Sequence, residues 1–176
     1  MAAATPSLAE RFVLHWGEMA ARWGVNRSVA QIQALLYFEG RALHAEAIAE
    51  SLQMARSNVS TSLRELQNWD LVKVVHLRGD RRDHFETPHD PWALLRIVVR
   101  ERKEREFDPT VAFLRDCVAG PEFGRLEAAT QRRLRETLAL METLSSWTEQ
   151  MLAMDDGTLK RLAKLGARVR NFLRAA

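Results

Sequence analysis

The apolar residues between Ala45 and Thr87 change their period twice, and that change limits what the segment can fold into. Ala45, Ile48, Ala49 and Leu52 fall at helical spacing, and so do Val59, Leu63 and Leu66. Only Gln53, Met54 and Ala55 separate the two sets. The β-branched run Val72 to Leu77 then predicts a strand, Gly79-Asp80 a turn, and Arg82 to Thr87 a returning strand. Two short helices, a tight turn and a hairpin describe a helix-turn-helix with a wing. That shape places one helix in a DNA groove.

The second helix has the faces such a task needs. It runs from about Arg56 to Trp69, with Val59, Leu63 and Leu66 turned inward. Its other face carries Arg56, Ser57, Asn58, Ser60, Thr61 and Arg64, short polar or basic groups suited to base edges and phosphates. Its first turn is expected to offer free amides to a phosphate. Arg78, Arg81 and Arg82 cluster at the wing tip, opposed by Asp80, and are expected to contact the backbone or minor groove. Arg78-Gly79-Asp80 matches an adhesion tripeptide, but here it reads as turn chemistry.

The flanking chain reads as helical, so the fold class is mainly α. A first helix spans Ser7 to about Trp23, with Leu8, Phe12, Met19 and Trp23 on one stripe and Gly24 ending it. Ser28, with Gln31 three residues on, is expected to cap a second helix that Glu39-Gly40 stops. Arg41 to His44 is a linker that could add a β-bridge to the wing. Pro88 and Pro91 close the hairpin and start the next helix. Beyond Trp92, a break or kink is expected at Asp108-Pro109, and breaks at Gly120-Pro121 and Asp155-Asp156-Gly157. A long helix from about Arg125 to Met154 repeats Leu134, Leu138, Met141, Leu144, Thr148 and Met151 as a narrow seam. The last helix does the same with Leu159, Leu162, Leu165, Val169, Phe172 and Leu173. Its Lys160, Arg161, Lys164, Arg168, Arg170 and Arg174 read as a solvated face. Two regions follow: 1–91, the N-terminal helix with the winged helix-turn-helix, and 92–176, helical dimerisation or regulation.

Composition excludes several classes. No run of about 18 apolar residues occurs, so no membrane span is expected. MAAATPSLAERF lacks the features of a secretory signal, and the single Cys117 cannot form an internal disulfide; both suit the cytoplasm. A net charge of +3 permits a nucleic-acid partner without demanding one. There is no phosphate loop, nucleophile elbow or paired acid/base motif, so no enzyme and no cofactor is expected. His76, His84 and His89 match no zinc spacing and read as surface or strand histidines rather than a metal site. Trp16, Trp23, Tyr37, Trp69 and Trp92 could form a cage for a quaternary ammonium group, but the stronger reading packs Trp69 and Trp92 beside the wing and Trp16 and Trp23 in the core or a dimer interface.

The run LYFEGRALHAEAIAESLQMARSNVSTSLRELQNWDLVKVVHLRGDRRDHFETPHDPW, continued by IVVRERKEREFDPTVAFLRDC, resembles the GbsR/MarR-type bacterial and archaeal transcriptional regulators. The resemblance covers roughly Ser7 to Cys117. It implies a dimeric winged-helix regulator of double-stranded DNA, generally a repressor. Some relatives control osmoprotectant uptake or synthesis and respond to choline. That leaves a small-molecule effector open, although no pocket residue of this chain is matched to one. The family usually has glycine after the tryptophan that ends the recognition helix; here Asp70 stands there and is expected to take the same left-handed turn. The alternative is a winged helix that binds protein without specific DNA readout. A polar and basic reading face argues against it.

Overall fold

Eight consecutive residues of one helix, Val29 to Leu36, are all buried, and the first unit is arranged around them. The computed structural model describes residues 5–173 of the chain, with side chains as far as Leu165. It divides into two compact units, one ending at Val98 and one beginning at Val99. Helix α1 (Leu8–Arg22) and helix α2 (Arg27–Glu39) pack together in the first unit. Gly17 makes that approach close: a Cβ there would lie 2.6 Å from Cγ of Gln31. Helices α3 (Ala45–Leu52) and α4 (Arg56–Asn68) form the helix-turn-helix against α2.

The strands β1 (Leu43–His44), β2 (Lys73–His76) and β3 (Asp83–Glu86) make one antiparallel sheet in the order β1-β3-β2. The linker before α3 therefore does add to the wing, through Leu43 opposite Phe85 and His44 opposite His84. The hairpin pairs Val74 with Phe85 and Val75 with His84. The core is built from Val29, Ile32, Leu35, Leu36, Ile48, Val59, Leu63, Leu66, Leu71 and Val72, with Met54, Trp69, Leu94 and Ile97 packed against it.

Three helices end in the same hydrogen-bonded device. The amides of Val25, Met54 and Leu71 each reach back five residues, to the carbonyls of Ala20, Ala49 and Leu66. The residue before each is left-handed: Gly24, Gln53 and Asp70, at φ +78°, +51° and +53°. These are Schellman endings. Asp70 takes the turn expected of it. Gln53 also satisfies the Glu50 carbonyl with its side chain, at 2.7 Å.

Several local expectations need correction. The cap of α2 is Asn26, whose Oδ1 accepts from the Ser28 amide at 2.8 Å. Ser28 lies inside the helix, because Asn26 sits at the point where the backbone is still extended. Ser7, not singled out in the sequence, forms a full capping box with Glu10 on α1. Trp16 and Trp23 are exposed rather than core, as is Leu8 at 68%. Helix α1 buries only the narrow strip of Val13 and Gly17, with Phe12 partly covered.

Of the break or kink expected at Asp108-Pro109, the break does not occur. Helix α5 (Pro91–Arg102) runs through a π-helical turn, Lys103–Phe107, into helix α6 (Asp108–Ala119). A proline cannot donate to the preceding turn and crowds its carbonyl; the wider π turn gives it room. Lys103, only 11% exposed, bonds Asp108 at 2.7 Å and Glu149 at 2.8 Å. Those two carboxylates, Asp108 first, hold its ammonium above the usual lysine range. Gly120-Pro121 ends α6 as expected. A 3₁₀ turn, Phe123–Arg125, precedes helix α7 (Ala128–Ala153), so the long helix begins later than its sequence suggested. Helix α8 (Asp156–Leu173) begins after Asp155, whose carboxylate accepts from the Thr158 amide. The side chains of Arg168, Val169, Arg170, Phe172 and Leu173, and the whole of Arg174, lie outside the described residues.

Asp70 gives the first prediction. A β-branched residue tolerates positive φ badly, and the left-handed penalty is roughly 1–2 kcal/mol. Asp70→Val is expected to lose about that much stability in urea denaturation, with the slope of the transition unchanged.

Candidate nucleic-acid interface

Helix α4 starts without a side-chain cap. Its N-cap position holds Ala55, at φ −61° and ψ 137°, and no side chain accepts from its first amides. By contrast α1 and α2 are capped by Ser7 and Asn26, while the α3 amide of Ala47 lies 3.2 Å from Nδ1 of His44. The bare end is exposed, and so are Arg56, Ser57, Asn58, Ser60, Thr61 and Arg64. Free amides and the positive end of the helix dipole make this an anion-accepting terminus.

Two of the expected readers are already engaged. Asn58 donates through Nδ2 to Ser28 Oγ of α2 at 3.0 Å, and its Oδ1 accepts from Ser62 at 3.4 Å. An adenine contact would have to replace these bonds. Arg56, 70% exposed, lies 2.5 Å from Glu46 of α3. Ser57, Ser60, Thr61 and Arg64 project outward around them.

At the wing, Leu77 to Asp80 form a turn closed by the Asp80 amide on the Leu77 carbonyl, 3.1 Å. Gly79 supplies the positive φ of +87° that its third position requires. Arg78 and Arg81 are exposed at this tip. Arg82 is not free in the same way. Its Nε donates to Asp80 at 2.9 Å, and the Asp80 oxygen also accepts the Arg82 amide at 3.0 Å. Arg82 Nη1 is 3.0 Å from His44 Nε2.

His44, Glu46 and Asp80 contact the candidate arginines, and the apolar pattern does not flag them. His44 precedes a helix and Glu46 sits in its first turn; nothing in periodicity links either to arginines far along the chain. His84 is buried and bonds the Arg82 carbonyl through Nδ1 at 3.0 Å. Its ring meets that of His44 edge-on at 5.5 Å. Among the described residues no group of histidine, cysteine and carboxylates converges as a metal site. No described helix is long and apolar enough to cross a membrane.

Residues 23–83, the span of this helix-turn-helix and most of its wing, match the MarR family. Over that segment the chain is similar to MarR-type winged helices. Among similar proteins is the HTH-type transcriptional repressor GbsR of Bacillus subtilis (strain 168), 26% identical over 97 residues. That match takes in 55% of this chain and 53% of the relative, so the chain spans about half of its length. A crystal structure of a transcriptional regulator is similar with a TM-score of 0.62 and 22% identity, over 82% of this chain and 95% of that one. A mutant of S. aureus MepR bound to an oligodeoxyribonucleotide is more distant: TM-score 0.39, 18% identity, over 80% and 92% of the two chains.

Asp80 sets the acid limit of the wing. Bonding from the Arg82 side chain, then from its amide, holds the carboxyl well below the usual range. A depressed folded value means that the tie is fully present above the unfolded aspartate range and is lost only as pH falls through the folded value. Carbon-13 NMR is expected to show the Asp80 carboxylate still ionised near pH 4, where a free aspartate is about half protonated. In Arg82→Ala it should titrate closer to the ordinary range, with the backbone amide of residue 82 still holding it below.

Proposed function

We propose that the chain is a sequence-specific DNA-binding transcriptional regulator, a homodimeric repressor that works in the cytoplasm. The observation that carries the reading is the uncapped, exposed start of α4 on a face of small polar and basic side chains. In this reading α4 enters the major groove, with its first amides and Arg56 toward a phosphate. Ser57, Ser60, Thr61 and Arg64 line the groove, and Asn58 reads a base if it exchanges its Ser28 bond. Arg78, Arg81 and Arg82 bring the wing to the neighbouring backbone or minor groove. The face carries no aromatic residue, which favours DNA over a protein partner.

Repression is supported by the name of the GbsR relative. Dimerisation is supported by need and by surface. One such unit makes few base contacts, and two half-sites about 34–36 Å apart supply the rest. Leu8 and Trp16 leave an apolar stripe of α1 exposed, where Trp16 stacks on Phe12 at 5.6 Å. Leu140, Leu144 and Trp147 do the same on α7. A second copy is the partner that covers such stripes at both half-sites together. A small-molecule effector belongs to the reading as a class only.

Selection of genomic fragments by the purified protein is expected to return one two-fold-symmetric motif; retention of none at moderate salt would sink the reading. Ala55→Asp provides a sharper test. It fills the empty cap with a carboxylate, so stability should rise by about 0.5–2 kcal/mol. Affinity for the selected fragment should fall roughly tenfold or more, because a charge-assisted hydrogen bond is worth about 1.5–3 kcal/mol. A more stable protein that binds equally well would show that the α4 start is not a phosphate site. For the dimer, Trp16→Glu is expected to shift sedimentation from two copies towards one while leaving the helical circular dichroism unchanged.

A further inference from the structure

Two arginines assigned to DNA above belong to different elements, one to the wing and one to the start of α4. Two residues, His44 and Glu46, link them. Arg82 Nη1 is 3.0 Å from His44 Nε2, His44 Nδ1 is 3.1 Å from Glu46 Oε2, and Glu46 Oε1 is 2.5 Å from Arg56 Nη1. Asp80 closes the far end through the Arg82 guanidinium.

The bonding rules fix the direction of this chain. A guanidinium only donates, so His44 Nε2 must accept. A neutral imidazole then carries its hydrogen on Nδ1, which donates to Glu46. The Ala47 amide also approaches Nδ1, at 3.2 Å. One nitrogen cannot both donate to Glu46 and accept from Ala47, and the Arg82 contact decides for donation. Arg82 spends one hydrogen from Nε and one from each terminal nitrogen on Asp80 and His44. Two of its five N–H groups remain to point outward.

We propose that His44 is a positioning residue that joins the wing arginine to the recognition-helix arginine, so that Arg82 and Arg56 meet DNA as one oriented pair. The inference rests on the DNA-binding reading. Without such a link each arginine would be ordered separately at binding, and their contributions would multiply independently. With it, losing one loosens the other.

Side-chain amides separate the two arms of the link. In His44→Asn the amide nitrogen falls near the Nδ1 position, keeps the Glu46 bond and loses the acceptor for Arg82. In His44→Gln the amide oxygen falls near the Nε2 position, keeps Arg82 and loses the Glu46 arm. The experiment measures binding of a 30-base-pair random-sequence duplex at low salt by Arg56→Gln, Arg82→Gln and their double variant, in wild type and in each His44 background. Thermal unfolding of every variant controls for the fold.

In wild type the double variant should depart from the product of the singles by roughly threefold or more, as expected for coupled residues. In both His44 backgrounds the effects should multiply to within about twofold, with unfolding temperatures close to wild type. A residue that merely supports the fold would lower binding without changing that product. Multiplicative effects in wild type, or coupling that survives in either His44 variant, overturn the inference while DNA binding itself stands. Failure of the wild type to bind the duplex overturns the DNA-binding reading, and this role with it.

Discussion

Helix α2 is buried on every side along Val29 to Leu36, and the placement of the first unit's other elements follows from that. A helix enclosed all round, here with Gln31 and Gln33 among its buried residues, needs neighbours all round. Helix α1 covers one side and α4 another, with α3 and β3 also in contact. Hydrophobic burial has no direction, so it cannot set which residue of α4 faces out. The ends of the helices do that. The Leu71 amide on the Leu66 carbonyl and the Met54 amide on the Ala49 carbonyl fix where each helix stops and at what angle the chain leaves.

Much of this was legible in the sequence because it depends on short-range patterns. The stripe Val59, Leu63 and Leu66, the turn at Gln53 to Ala55, and the wing strands all follow from spacing within one or two turns. The β1 pairing was readable from the position of Arg41 to His44 before α3. The π turn was not, because Asp108-Pro109 looks the same whether the helix breaks or widens around the proline. The exposure of Trp16 and Trp23 was not legible either. Amphipathic spacing marks an apolar stripe without saying how much of it one chain can cover.

At the candidate site the division is similar. The exposed reading face and the tip arginines are surface facts that a helical wheel and a hairpin supply. The bonds that commit some of them are long-range in sequence: Asn58 to Ser28, Arg56 to Glu46, Arg82 to His44. Such pairs share no period and no motif. A polar face therefore reads as uniform in the sequence, whereas in the structure Ser57, Ser60, Thr61 and Arg64 project freely outward and Asn58 is tied back to α2.

The two left-handed residues that bracket the recognition helix, Gln53 and Asp70, have a consequence for control. A reading helix whose approach and exit are both fixed by Schellman bonds has little conformational entropy left to lose on binding. It is equally hard to melt locally, since both ends are anchored in the core through Met54 and Leu71. In the dimer proposed above, control of such a unit would act by relocation: the spacing of two intact helices would change, rather than the folding of either.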